Sequence, residues 1–166
     1  MDDVDVRAVL AAIPLFADTL DGEALDDLAA KSSVTFFPAG TFLMTEGEFG
    51  GSMFAVVDGR VAVTLHDADG REHAVATLGA GEIVGEIALM TGQRRSATGA
   101  AETEVVAVEI PKFALEEMFA RSPDLIDRFG AVLAGRQAQL RRIEAEASQG
   151  HAISAQIRRW FARPRR

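Results

Sequence analysis

Between Ser33 and Ile110 the chain offers eight short β-rich runs in close succession: VTFF, TFLM, MFAVV, RVAVTL, HAVATL, EIV, ATGAA and EVVAVEI. The separators are turn signals, PAG, EGEFGG, DG, DADG, GAG and TG. Short strands spaced this closely by Gly and Asp turns predict an antiparallel sandwich or barrel. MFAVVDGRVAVTL places Asp-Gly between two such runs and reads as a hairpin, and HDADGREH reads as another.

The flanks have a different texture. Residues 4–12 and about 22–31 read as short helices, the second capped by Asp21, with Glu23 in its first turn and Leu25 and Leu28 on its apolar face. Pro111 can open a further helix carrying Phe113, Leu115, Met118 and Phe119. Ser122-Pro123-Asp124 then restarts a long helix, with Ser122 as its cap and an apolar stripe of Leu125, Phe129, Val132, Leu133, Leu140 and Ile143. SQG at 148–150 breaks it, and HAISAQIRRWFARPRR ends the chain on a basic amphipathic stretch. The expected organisation is a helical segment at 1–32, a β region at 33–110, a helical segment at 111–147 and a basic tail at 148–166.

A length of 166 residues with 48% apolar content suits one domain with a real core. There is no cysteine, so a disulfide framework, a thiolate metal site and a cysteine nucleophile are excluded. No apolar run approaches the roughly 18 residues of a membrane span. The opening MDDVDVRAVL is acidic, unlike the basic start of a signal peptide. The expectation is a soluble, cytoplasmic protein. The net charge of −8 is uneven: residues 134–166 carry +6 and the remainder −14. The body should repel nucleic acid, whereas the tail offers an acidic partner or a membrane surface a docking strip.

The stretch GEIALMTGQRRSAT, residues 85–98, carries the chemistry. Gly81 and Gly85 bracket EIV and allow close approach of a ligand to the backbone. Glu86 to Met90 suits one or two helical turns ended by Gly92. A short helix after a glycine presents free N–H groups to an anion, and Arg95 can return past that end to pair with phosphate through a forked geometry. A carboxylate beside an anion site makes sense if Glu86 accepts from a sugar hydroxyl next to the phosphate. Phosphate plus vicinal hydroxyl means a nucleotide, and room for one phosphate close to its own ribose fits a cyclic monophosphate. No GxxxxGK[ST] or GxGxxG is present.

These residues resemble the phosphate-binding cassette of the cyclic nucleotide-binding domain family. Gly85, Glu86, Ile87, Ala88, Leu89, Arg95, Ser96 and Ala97 fit its pattern, and Pro38, Gly40, Glu46, Gly47 and Gly59 fit the upstream signature. A departure at Gly51-Ser52, where the family often has Asp and a small or polar residue, is read as confined to a loop. The resemblance implies a mainly β fold with flanking helices: an eight-stranded antiparallel, jelly-roll-like β-roll with N-terminal helices, a short cassette helix and C-terminal hinge and lid helices. It implies that Glu86 accepts from the ribose 2′-hydroxyl, that Arg95 pairs with an exocyclic phosphate oxygen, and that the N–H groups of Ile87, Ala88 and Ala97 bind the phosphate. A hydroxyl at Ser96 is compatible with cAMP or cGMP as ligand. Val63, Val75 and Val84 are expected under the base. Arg136 falls on the apolar stripe of the last helix, where it can cap the purine, as can Gln137 beside it, or Arg136 can snorkel to water.

The resulting expectation is a regulatory sensor without enzymatic activity or cofactor, coupled to an effector domain or protein. About 20 residues follow the long helix, too few for a helix-turn-helix, so direct DNA binding is not expected. The chain can be a stand-alone sensor or part of a longer one, at the inner membrane face if it serves a channel, and pairing of long helices between copies is open. The rival readings are a degenerate module acting as a scaffold, and a metal or hydrolytic enzyme on the same roll. The three histidines are dispersed without a His-x-His pair, which disfavours the latter.

Overall fold

The computed structural model describes residues 3–17, 19–131, 134 and 142. The chain begins with three short helices, α1 (Val6–Ala12), α2 (Pro14–Ala17) and α3 (Gly22–Ala30). Asp5 caps α1 by accepting from the Ala8 N–H at 3.0 Å, and Asp21 caps α3 by accepting from that of Ala24 at 2.8 Å. Helix α2 was not anticipated. Pro14 forces Ile13 into an extended conformation (φ −78°, ψ 122°), which ends α1. One further turn then drives Leu15 and Phe16 into the core.

Eight strands follow: β1 (Ser33–Phe37), β2 (Phe42–Met44), β3 (Ser52–Asp58), β4 (Val61–His66), β5 (Glu72–Leu78), β6 (Ile83–Val84), β7 (Thr98–Ala101) and β8 (Val105–Pro111). They form two four-stranded antiparallel sheets in the orders β1-β8-β3-β6 and β2-β7-β4-β5. The expected hairpin at HDADGREH is present, with β4 paired to β5. The expected hairpin at Asp58-Gly59 is not. There β3 and β4 belong to different sheets. Gly59 (φ +95°) carries the chain across, so close to the β7–β8 turn that a Cβ would lie 2.1 Å from the Glu104 carbonyl oxygen. The Arg60 N–H is held by Thr103 Oγ1 at 3.0 Å. Asp-Gly supplies a tight reversal, but the strands it joins do not pair with each other: β3 pairs with β8 and β6, and β4 with β5 and β7.

The period-two alternation of strands sorts side chains to two cores. Phe54 and Val56 of β3, with Val105 and Ala107 of β8, face the other sheet and meet Val61, Val63 and Leu65. Met53 and Ala55, with Val108 and Ile110, face outward onto the helices. Helix α5 (Lys112–Arg121), with Pro111 at its N-cap, and the helical residues 124–131 cover the same outer face. The N-terminal and C-terminal helices therefore form one layer. Phe129 ties it together, its ring 5.2 Å from Phe119 and 5.8 Å from Phe16. Leu125 and Phe129 of the expected stripe are buried. Val132, Leu133, Arg136, Gln137, Leu140, Ile143 and the tail at 148–166 lie outside the described residues.

Candidate functional site

β6 is two residues long because Gly85 turns the chain out of the sheet at once, at φ +87°. Helix α4 (Glu86–Thr91) starts there and ends at Gly92, whose N–H reaches the Ala88 carbonyl at 3.0 Å. Residues 93–97 then return the chain past the start of α4 into β7. A cavity of about 230 Å³ opens between this loop and the β4–β5 hairpin. Its floor and sides are apolar: Met44, Val63, Val75, Ala76, Leu78, Ile83, Val84, Ala88 and Ala97. Its polar side chains are Glu86, Arg95 and Ser96.

Glu86 (4% exposed) and Arg95 (7%) are charged residues buried as whole residues, and both stand at this one cavity. Arg95 is held from several sides. Its Nη1 donates to the Gly85 carbonyl and its Nη2 to the Ser52 carbonyl, each at 2.7 Å. The α-carbon of Gly50 lies so close under the guanidinium that a Cβ there would fall 2.2 Å from Arg95 Cζ. The main chain is clasped too: Arg95 N–H donates to Glu48 O at 2.7 Å and Gly47 N–H donates to Arg95 O at 2.9 Å. Burial pushes the guanidinium pKa down from its ordinary value, and the negative charge of Glu86 works against that shift. A guanidinium has five donors, and two are engaged by carbonyls here. Glu86 occupies the first turn of α4, where the helix dipole favours a carboxylate.

The cassette residues are thus brought together: Gly85, Glu86, Ala88, Arg95, Ser96 and Ala97 line the cavity, and Ile87 stands in the first turn of α4. Val63, Val75 and Val84 lie in the cavity wall. Arg136 lies outside the described residues. Sequence reasoning missed Met44, Ala76, Leu78 and Ile83 in the wall. It also missed the role of the β2–β3 loop. The departure at Gly51-Ser52 is not remote from the cassette, because the Ser52 carbonyl is one of the two that hold Arg95. A carbonyl belongs to every residue type, so no side-chain pattern announces it. The glycines of EGEFGGS were the available signal, since they mark where the backbone comes close to another group. The neighbouring Arg94 is exposed and turns away, with its Cζ 4.3 Å from the Phe49 ring centroid and its Nη1 on the Gly47 carbonyl.

His66 and His73 serve the hairpin beside the cavity. His66 Nδ1 lies 2.8 Å from Glu46 Oε1, and His73 Nε2 lies 2.8 Å from Asp67 Oδ2. Among the described residues no group of three or more His, Asp or Glu is placed to hold a metal ion. Among them, too, no helix is long and apolar enough to cross a membrane.

Residues 34–122 match the family described as cyclic nucleotide-binding domain. The chain is 36% identical over 119 residues to a cyclic nucleotide-gated potassium channel of Rhizobium etli, a match covering 72% of this chain and 32% of the channel. It is 27% identical over 128 residues to a CRP-like cAMP-activated global transcriptional regulator of Mycobacterium tuberculosis, covering 77% of this chain and 57% of the regulator. The matches therefore span about a third to a little over half of these curated relatives. Among solved structures, the catabolite activator protein of Thermus thermophilus superposes with a TM-score of 0.66 at 26% identity, over 76% of this chain and 59% of that one. The roll, the buried Glu86 and Arg95, and the match over 34–122 agree: the chain belongs to the cyclic nucleotide-binding domain family.

Proposed function

We propose that this chain is a regulatory sensor that binds cAMP or cGMP in the cavity between α4 and the β4–β5 hairpin. The observation that carries the reading is the burial of one carboxylate and one guanidinium in a single, otherwise apolar cavity. A cyclic nucleotide matches the chemistry of both groups: its phosphodiester suits Arg95, with the first-turn N–H groups of Ile87 and Ala88, and its 2′-hydroxyl suits the carboxylate of Glu86. The purine then rests on Val63, Val75 and Val84, with the Ser96 hydroxyl between phosphate and base.

Binding is coupled to the helices. Leu89 of α4 shares a core with Leu115 and Met118 of α5 and with Phe129 beyond it. A phosphate that draws α4 inward disturbs that core, α5 follows, and the segment after Ser122 closes as a lid, with Arg136 reaching the base. Binding free energy becomes a population shift between two helix arrangements. The effector is a separate domain or protein, and the protein works in the cytoplasm, at the inner membrane face where the effector is a channel.

Calorimetric titration with cAMP and then cGMP, on the wild-type chain and Arg95→Ala, tests the reading. Loss of a buried charge-assisted phosphate contact costs roughly 2–5 kcal/mol, so binding should weaken by well over tenfold. No heat with either nucleotide, from folded and nucleotide-free protein, would leave the scaffold reading in its place.

A further inference from the structure

Most of what fixes Arg95 comes from residues 47–52. Gly47 and Glu48 hold its main chain, the α-carbon of Gly50 lies under its guanidinium, and the Ser52 carbonyl accepts from Nη2. Yet none of residues 45–51 is buried, and Phe49, the large apolar side chain among them, is 71% exposed. A loop without an apolar anchor keeps its place through polar contacts, and such segments open more readily than a packed core.

Glu46 ties this loop to the rest of the roll. Its N–H donates to Thr98 Oγ1 of β7 at 3.0 Å. Its carboxylate accepts from the His66 N–H, at 3.0 and 3.1 Å to the two oxygens, and stands 2.8 Å from His66 Nδ1. The tie therefore runs from the loop that supports Arg95 to the hairpin that walls the cavity. Three acids surround the imidazole: Glu46, Glu72 opposite it in the β4–β5 ladder with Oε2 4.0 Å from Nε2, and Asp67 next in sequence. All three favour the imidazolium, and the hydrogen bond to Glu46 contributes most to raising the His66 pKa above its ordinary 6.5. His73, by contrast, is paired with Asp67 inside the same hairpin.

We propose that His66 and Glu46 are positioning residues for Arg95, and that protonation of His66 tightens nucleotide binding by holding the loop at 46–52 in place. The inference rests on the sensor reading, because the affinity it describes is for a cyclic nucleotide. A loop that leaves its place part of the time lowers the apparent affinity by the fraction of competent molecules. A phosphodiester keeps its single negative charge across the neutral range, so the ligand does not titrate there. The folded-state value of His66 is raised, so the charged pair is complete below about pH 6.5 and is lost as pH rises through the raised value.

Calorimetric titration of the full chain with cAMP and cGMP at pH 6 and pH 8.5 tests this, with His66→Gln, Glu46→Gln and, as control, His73→Gln. The wild type should bind about threefold more tightly at pH 6 than at pH 8.5, the scale of one partly exposed pair. His66→Gln and Glu46→Gln should each lose that difference and bind about threefold more weakly than the wild type at pH 6. His73→Gln should keep the wild-type profile. In nucleotide-free protein at pH 6, amide hydrogen exchange at Gly47 and Arg95, whose N–H groups join the two loops, should be faster in the first two variants and unchanged in the control. Tighter binding by Glu46→Gln would show its negative charge acting on the phosphate from a distance and would overturn the proposal. So would a wild-type pH profile in His66→Gln, or unaltered exchange in both variants. A wild-type chain that binds neither nucleotide would remove the sensor reading; the exchange rates would still decide whether the pair holds Arg95.

Discussion

At the scale of single residues, the site depends on backbone as much as on side chains. Arg95 is aimed by two carbonyls and by the bare α-carbon of Gly50, and Glu86 is placed by the turn at Gly85. That Glu86 and Arg95 belong to one candidate site was legible because their types and spacing suggest a shared chemistry, and both line one cavity. Their supports were not, because carbonyls leave no mark in a sequence. Gly59 shows the same limit. Its Asp-Gly pattern reads as a hairpin, whereas its need is steric, set by a carbonyl 45 residues away in sequence. Gly59→Ala should therefore cost about 3 kcal/mol, combining left-handed strain with overpacking. Gly81→Ala, at a similar φ of +87° but with open space around its Cβ, should cost only about 1 kcal/mol. Urea unfolding of the two variants checks the difference, and equal losses would show that strain alone acts at Gly59.

At the scale of elements, all eight strands were legible from composition and turn signals, because the runs are rich in β-branched and apolar residues and most end at Gly, Pro or Asp. Which strands pair was not, since sheet partners are set by long-range burial rather than by the turn between neighbours. Helix α2, at four residues, is too short to show a period. The β4–β5 hairpin that walls the cavity is held by charge near its turn. The His66 backbone N–H and ring both meet Glu46, and that hydrogen bond raises the His66 pKa above its ordinary 6.5, with Glu72 and Asp67 adding to the attraction. A raised folded-state pKa means that the stabilisation is fully present below about pH 6.5 and is lost as pH rises through the raised value. The stability advantage of the wild type over His66→Gln, read by urea unfolding, should thus be larger at pH 6 than at pH 8.5. An advantage that grows toward high pH would contradict the pairing.

At the scale of the whole molecule, the chain is a two-sheet roll backed by one helical layer drawn from both of its ends. That joint layer was not legible: 4–31 and 112–131 read as separate segments, and only the outward face of β3 and β8 brings them onto one core. Leu89 of α4, the helix beside the cavity, shares that core with α5 and Phe129, which is the packing the proposed coupling uses. The central claim is that the buried carboxylate and guanidinium are the two ends of one cyclic nucleotide subsite. The most direct measurement is a crystal structure of the chain with cAMP at saturating concentration. The account predicts the phosphate on Arg95, the ribose 2′-hydroxyl on Glu86 and the purine against Val63, Val75 and Val84. Nucleotide density elsewhere on the protein, or a cavity left without it, would contradict the account.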